Sequence, residues 1–459
     1  MLFILTLRII TKSMIKNKTQ SAFFVFFVAF VIRIFLIFQP ENKYLGGNDA
    51  IGYNNAAVHL VNGENNFGFF REPGYIYFIA GVYSIWESFG GSTKEISNEF
   101  LDQQQNPEIV FLRIIQALFG SFSIVLFYFL IQVYLKNHIA LFIAIISGLY
   151  LPLANMSLYI LRETIQFFIL MLLNWFLLKY FISKQLKYLL FSGVIWGLSN
   201  LILQITWLIF IPYLIVFLLI AHGNLLFTLR DFLICSLLMI IIILPWLCKS
   251  YNYYSDFRIL KTMGISLTFE SANYVNKLRN SRDLGFISGL KTEEQLKKEW
   301  YLISDSSRFE RSFSGYYKTK ADSIDKVLNA SSHKSIFFQK ASRHFRLSMM
   351  QTFFWKNPEQ QINPIAFYRH QKRLIFVIIY FLFSYLSILS FILFGRKLIL
   401  LLPLFIFFSS LFYFIGSETR RMLFIHPFLI MFSTMALVYI YFKVFKKTKD
   451  PLILNAIFN

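Results

Sequence analysis

Asp49 is the acidic residue whose surroundings point most directly to chemistry. It lies in the stretch Gly46-Gly47-Asn48-Asp49-Ala50, shortly after an apolar segment that ends near residue 38. The glycines let the backbone turn at a membrane surface, where Asn48 or Asp49 can cap a short helix that carries Tyr53. A carboxylate at a water–lipid boundary is also partly desolvated, which raises its basicity. Asp49 is therefore either a helix cap or a general base.

Glu163 is a second acidic candidate and stands at the start of another apolar segment. Its context is Leu161-Arg162-Glu163-Thr164. A carboxylate in the first turn of a helix is stabilised by the helix dipole, which is a sufficient structural reason for it. Ionisable residues at membrane depth are nevertheless costly and usually functional. Both interpretations stay open at this point.

Further charged residues flank apolar segments. Arg71 and Glu72 precede a Pro-Gly pair of the kind that commonly marks the start of a helix. Arg420 and Arg421 precede an apolar segment in a short loop where positive charge is normally avoided. Two arginines at the N-terminus of a helix predict a phosphate site, because the cations and the dipole act together. Arg33, inside the first apolar segment, is expected to snorkel to the interface.

The composition identifies the environment in which these residues act. Of 459 residues, 56% are apolar and 15% charged, and the mean hydropathy is +0.56. These values exclude an ordinary soluble enzyme, a disordered chain and a secreted disulfide scaffold. The net charge of +21 is scattered between apolar segments and indicates topology rather than nucleic-acid binding. Cys235 and Cys248 share one apolar segment and predict neither a metal site nor a bridge.

The apolar segments predict an all-α polytopic membrane protein with about ten transmembrane helices, since a span needs about 20 apolar residues. Segment 73–90 is interrupted and contains Glu87, so it is expected to be an interfacial helix in the first outer loop. The candidate spans are 20–38, 110–135, 138–156, 162–181, 187–203, 205–221, 231–248, 373–394, 398–416 and 421–443.

Basic loops set the predicted orientation, because short loops rich in Lys and Arg stay cytoplasmic. Under a ten-helix count all of these loops fall on one side, so both termini are predicted to be cytoplasmic. Their basic residues are Lys12, Lys16, Lys18, Lys136, His138, Lys184, Lys187, His222, Arg230, Arg396, Lys397, Lys446, Lys447 and Lys449.

Three regions follow from this topology. Residues 1–250 are predicted to form a transmembrane catalytic module with a first outer loop at 39–109. Residues 251–372 are predicted to form a small periplasmic loop or domain. Residues 373–459 are predicted to form C-terminal transmembrane helices and a basic cytoplasmic tail.

Four sets of residues, in this order along the chain, resemble the GT-C superfamily of membrane glycosyltransferases. The resemblance is in particular to the family of protein O-mannosyltransferases and lipid A aminoarabinose transferases. The sets are Asp49 with Tyr53, Ala56, Gly63 and Arg71-Glu72-Pro73-Gly74-Tyr75; Ser147-Gly148-Leu149-Tyr150-Leu151-Pro152 with Arg162-Glu163-Thr164; Pro245-Trp246 with Tyr251 and Gly264; and Glu418 with Arg420, then His426-Pro427.

The resemblance implies transfer of a sugar from a polyprenyl-phosphate donor to an acceptor on the outer face of the membrane. A single inverting displacement is expected, with Asp49 as general base. Glu163 would hold the acceptor or a divalent cation, and Arg420 or Arg421 would stabilise the departing phosphate. Tyr53, Arg71 and Glu72 complete the expected substrate-binding set. No Asp-x-Asp motif is present, so no cofactor is assigned and metal dependence stays open.

Two other functions are compatible with the sequence. A polysaccharide polymerase or ligase also uses lipid-linked glycans, but would show paired arginines late in the chain without an early Asp49 constellation. A lipid-linked-sugar transporter would place ionisable residues mid-span and show repeat symmetry. The expected partners are the lipid-linked donor, a glycan, lipid or protein acceptor and the bilayer, without nucleic acid. The Lys-, Asn-, Ile- and Phe-rich composition fits an AT-rich bacterial genome. The expected location is then the inner membrane, with the active site facing the periplasm.

Overall fold

The computed structural model describes residues 18–39, 45–46, 48–64, 72–97, 106–203, 225–254 and 426–445, with isolated residues between 206 and 393. Every regular element in these segments is helical, which confirms the predicted all-α class. The predicted spans 205–221, 373–394 and 398–416 fall outside the continuous described segments, as do Arg71, Arg420, Arg421 and the predicted outer region beyond residue 254.

The helices follow the apolar segments closely. Within the described residues, five helical segments are long and apolar enough to cross a membrane, at Lys18–Ile37, Pro107–Gln132, Glu163–Ser183, Leu229–Asn252 and Pro427–Val444, the last of which runs from α10 into a π turn. The helices are α1 Lys18–Ile37, α2 Asn48–Val61, α3 Pro73–Ser88, α4 Pro107–Gln132, α5 Asn137–Leu149, α6 Leu151–Asn155, α7 Glu163–Ser183, α8 Leu186–Ile202, α9 Leu225–Tyr254 and α10 His426–Ile440, with a 3₁₀ turn at Met156–Leu158 and a π turn at Tyr441–Phe445.

The segment 138–156, expected to be a single span, is not one continuous helix. Helix α5 ends at Leu149, and the chain continues through α6 and the 3₁₀ turn before α7 begins. Tyr150 adopts an extended conformation just before α6. Pro152 is compatible with the first turn of α6, but it would disrupt the interior of a longer helix. The chain therefore leaves regular helical structure inside the segment that the sequence predicted as one span.

Among the described residues, those within 18–64, 73–243 and 426–445 belong to one compact unit, and Glu72 and 244–254 belong to a second. In the first unit α4 is central, since it packs against α1, α3, α5 and α7. Helix α8 packs against α7 and α3, and α10 packs against α5. The first outer loop contributes α2 and α3, which pack against each other.

Small residues allow these helices to approach closely, as expected where helix association depends on van der Waals packing. Gly193 and Gly197, one helical turn apart on α8, lie against α9. A Cβ at Gly193 would stand 2.7 Å from the Cys235 carbonyl oxygen, and one at Gly197 would stand 2.5 Å from the Ile242 Cβ. The α8–α9 contact therefore has no room for a methyl group.

The apolar residues of α1 divide into two faces. Val25 and Ala29 are buried, whereas Phe23, Phe27 and Phe35 are 54–69% exposed in the described part of the chain. Large exposed aromatic side chains on a helix of this hydropathy suit contact with lipid. This arrangement accounts for part of the unusually high Phe content.

We expect Gly197→Ala to destabilise the protein by about 1–3 kcal/mol, because the added methyl overlaps Ile242 and forces α8 and α9 apart. Thermal unfolding in detergent micelles measures the change. Gly81→Ala is the matched control, since Gly81 is also helical but an added Cβ there would have nothing within 4 Å. That control should be neutral or slightly stabilising. Equal effects of the two variants would contradict the close α8–α9 contact.

Candidate active site

The loop after α1 lies directly against the segment before Glu163. The Ile160 N–H donates a 2.8 Å hydrogen bond to the Leu45 carbonyl oxygen. Gly46 has φ of +121°, a region that residues with a side chain rarely adopt. A Cβ at Gly46 would also stand 3.0 Å from the Leu161 Cγ. The glycine thus serves both the turn and the close approach of two segments that are far apart in sequence.

A second contact joins the same segments through side chains. The Arg162 Nη1 donates a 3.0 Å hydrogen bond to the Tyr53 hydroxyl. Tyr53 is buried on α2, one helical turn after the half-buried Asp49, and Glu163 is buried in the first turn of α7. The structure therefore brings Tyr53 together with the Arg162-Glu163 pair. Asp49 lies in the first turn of α2, on the predicted short helix.

Tyr75 links this junction to α3 and α4. Its ring packs edge-on against Tyr53 with centroids 4.9 Å apart, and its hydroxyl donates to the Gln116 Oε1 at 2.7 Å. Burial raises the pKa of Tyr75 well above its usual value, and the nearby Glu163 carboxylate raises that pKa further. The Tyr75 hydroxyl acts in this junction as the hydrogen-bond donor to Gln116.

Two fully buried polar residues of α4, Arg113 and Gln116, complete the junction. The Arg113 Nε donates to the Leu158 carbonyl oxygen at 2.6 Å. The Gln116 Nε2 donates to the carbonyl oxygens of Ser157 at 3.3 Å and Tyr159 at 2.9 Å. The sequence interpretation overlooked both residues. A cation and an amide three residues apart inside an apolar span were the available signal.

The expectation that Arg33 snorkels is wrong. Its side chain is only 1% exposed, and its Nη1 donates to the Ala29 carbonyl oxygen at 2.8 Å. Helix α1 packs against α4 and α5, and the buried guanidinium lies within this contact. Gly120 of α4 provides the room, since a Cβ there would stand 2.8 Å from the Arg33 Nε.

Gly74, at the start of α3, also lies in close contact with the end of α8. A Cβ on it would stand 2.8 Å from both the Leu201 carbonyl carbon and an Ile202 side-chain carbon. The glycine therefore permits the beginning of α3 to touch the end of α8. Glu72, the residue before α3, is buried.

A polar strap, residues 92–97 after α3, holds the rest of α2. Asn55 exchanges two hydrogen bonds with the backbone of Ile96, at 3.0 and 2.9 Å. The buried Asn54 accepts from the Tyr83 hydroxyl and donates to the Lys94 carbonyl oxygen. His59 contacts Glu64 and Glu95 at the far end of α2. Helix α2 is therefore fixed along its length as well as at its start.

The candidate acids do not amount to a metal centre by themselves. Within the described residues, no group of three or more His, Cys, Asp or Glu side chains is arranged to hold a metal ion. Asp49 and Glu163 consequently do not form a complete metal site with other described residues.

Comparison with known sequences supports the predicted family resemblance over part of the chain. The family described as dolichyl-phosphate-mannose-protein mannosyltransferase matches residues 105–248, which include α4 to α8 and most of α9. No curated protein is similar enough to the sequence to count as a match.

Solved structures support the fold. The archaeal oligosaccharyltransferase AglB from Archaeoglobus fulgidus, in complex with an inhibitory peptide and a dolichol-phosphate, aligns with a TM-score of 0.52 and 13% identity over 93% of this chain and 51% of that one. The same organism's enzyme in complex with Zn and sulfate aligns with a TM-score of 0.51 and 14% identity, over 94% and 51%. The chain spans about half the length of these proteins.

A third structure, ArnT from Cupriavidus metallidurans bound to undecaprenyl phosphate, covers 94% of this chain and 80% of that one, at 14% identity. Its TM-score of 0.38 is too low to support an argument about the fold. The predicted resemblance is confirmed by the family match and the AglB fold. The chain resembles the GT-C membrane glycosyltransferases, in sequence across residues 105–248 and in a fold that aligns with AglB over 93% of the chain.

Proposed function

We propose that this chain is a membrane glycosyltransferase that moves a sugar from a polyprenyl-phosphate donor to an acceptor on the outer face of a bacterial inner membrane. The glycosyltransferase class agrees with the matched family. The carrier class is supported by that family's name and by the dolichol-phosphate in the AglB complex.

The junction between α2 and the start of α7 carries this proposal. Two independent contacts, Ile160 to Leu45 and Arg162 to Tyr53, bring together segments that the sequence singled out separately. Helix α2, which has Asp49 in its first turn, and helix α7, which begins with Glu163, are joined at this point. A transferase needs a base and a substrate-holding acid near each other, and this junction joins the helices that carry the two candidates, with the Arg162 guanidinium at the contact.

In the proposed reaction the acceptor hydroxyl attacks the anomeric carbon as its proton passes to the Asp49 carboxylate. The bond between the anomeric carbon and the phosphate oxygen breaks, and polyprenyl phosphate leaves with the negative charge. We assign stabilisation of this charge to Arg420 or Arg421, and positioning of the acceptor to Glu163. Tyr53, Arg71 and Glu72 are the remaining proposed substrate contacts. The displacement inverts the configuration of the sugar.

A divalent cation is not required by this scheme. The Archaeoglobus enzyme has been crystallised with Zn, and Glu163 is the acid proposed to hold such an ion in this chain if one binds. The described acids alone do not make a site of three ligands. No step of the proposed mechanism uses a metal.

We expect Asp49→Asn to lower turnover by at least about 10²-fold, because the amide cannot accept the acceptor's proton. Purified protein in nanodiscs is incubated with a panel of radiolabelled polyprenyl-phosphate sugars, and released polyprenyl phosphate is measured. A polymerase or ligase would instead elongate a lipid-linked glycan, and a transporter would bind the donor without releasing its phosphate.

Glu108→Gln is the matched control for this measurement. Glu108 is also a carboxylate in the first turn of a helix, at the start of α4, and it is buried. If Asp49 only stabilises a helix dipole, the two substitutions should have similar small effects. A turnover loss confined to Asp49→Asn supports the base, whereas undiminished turnover in that variant would reduce Asp49 to a helix cap.

We also propose that both termini are cytoplasmic and that the first outer loop faces the periplasm. Ser92→Cys and Gln185→Cys, each in a chain whose Cys235 and Cys248 are replaced by serine, test this orientation. Both positions are exposed in loops, and the predicted topology places these loops on opposite sides of the membrane. An impermeant maleimide should label Ser92→Cys in intact spheroplasts and Gln185→Cys only after lysis. The reverse pattern would overturn the orientation.

A further inference from the structure

Three consecutive backbone carbonyls, those of Ser157, Leu158 and Tyr159, accept hydrogen bonds from one face of α4. Arg113 and Gln116 supply the donors, and both side chains are completely buried. Residues three apart on a helix lie side by side, which matches the spacing of the carbonyls they contact. We name this arrangement the carbonyl clamp.

We propose that the carbonyl clamp positions Arg162 and Glu163 for the transfer reaction, so that Arg113 and Gln116 are positioning residues. The inference rests on the proposed function, because it assigns the clamp a role in that reaction. Neither residue is required to touch a substrate. They act through the segment that leads into α7.

The segment needs such donors because it has left the helical pattern. After the 3₁₀ turn the backbone at Tyr159 is extended, with φ of −92° and ψ of 142°. Ser157, Leu158 and Tyr159 are buried, so water cannot readily satisfy their carbonyl groups. Side-chain donors from α4 replace the helical hydrogen bonds and fix where the segment runs.

The clamp is part of a closed circuit of contacts. Gln116 accepts from Tyr75, whose ring packs on Tyr53, and Tyr53 in turn accepts from Arg162. The circuit returns to Gln116 through the backbone of the clamped segment. The orientation of the Gln116 amide is set on both sides, since its nitrogen faces carbonyls and its oxygen faces a hydroxyl. A change at Gln116 therefore shifts Arg162 and Glu163 relative to α2.

The experiment compares Gln116→Leu with Gln132→Leu. Gln132 is also a buried glutamine on α4, but it donates to the Tyr128 hydroxyl and the Asn137 Oδ1 near the other end of the helix. We expect Gln116→Leu to lower kcat for release of polyprenyl phosphate by about 10- to 100-fold, because a small displacement of reacting groups is that costly. Gln132→Leu should stay within about threefold of wild type. Both are assayed at a temperature where circular dichroism shows them folded.

Gln116→Glu provides a rescue that a merely structural role would not predict. A protonated carboxyl retains one donor and one acceptor, so it can reproduce part of the amide's hydrogen bonding. An ionised carboxylate would instead face two carbonyl oxygens. The turnover of Gln116→Glu relative to wild type should therefore be highest at low pH and fall as the pH rises through the pKa of the introduced carboxyl.

Hydrogen exchange at residues 157–163 separates the inference from the proposed function. Faster exchange at these residues in Gln116→Leu, and not in Gln132→Leu, supports the clamp whether or not the protein turns over a donor. Failure of the wild-type protein to turn over any donor would count against the proposed transferase function, and not against the clamp. Unchanged exchange in Gln116→Leu overturns the clamp. Wild-type kcat in a folded Gln116→Leu, or an equal loss in Gln132→Leu, overturns its positioning role.

Discussion

Backbone carbonyl groups that leave a helix among apolar helices must find donors, and the centre of this structure is organised around that requirement. The chain ends α5 at Leu149, passes through α6 and a 3₁₀ turn, and reaches α7 only at Glu163. The carbonyls of this break are met by Arg113 and Gln116 from α4, and the Ile160 N–H by the Leu45 carbonyl. Because hydrogen bonds from α4 and from the loop after α1 both hold this segment, it can keep Arg162 and Glu163 at a fixed place.

Close approach of backbones is the second requirement. Gly46 allows the loop after α1 to reach Leu161, Gly74 allows α3 to meet the end of α8, and Gly120 leaves room for the Arg33 guanidinium. Each glycine stands where a polar group or an irregular segment has to be accommodated. These close contacts are made at small residues, whereas Phe23, Phe27 and Phe35 of α1 lie on an exposed face.

The sequence predicts the regular part of the molecule well, because span length and apolar periodicity are local properties. Helices α1, α4 and α7 begin or end within a few residues of their predicted positions, and the Asp49 helix forms where the glycines and cap residues indicated. The end of α5 at Leu149, the burial of Arg33 and the roles of Arg113 and Gln116 were not foreseen. These features depend on which helix faces which, a tertiary property that hydropathy does not encode. Asp49 and Glu163 could be proposed from the sequence, whereas the buried side chains that hold the segment before Glu163 could not.

The circuit through Tyr53, Tyr75, Gln116 and the segment before Arg162 has a consequence for energetic coupling. In a linear chain of contacts, breaking one link leaves the remaining links intact, and distant substitutions add. In a ring, the first break already releases the constraint that every other link helps to maintain, so a second break costs less than it would alone. Substitutions in α2 and α4 should therefore be non-additive although those two helices do not have to touch, and the free energy stored at this junction belongs to the ring rather than to any one hydrogen bond.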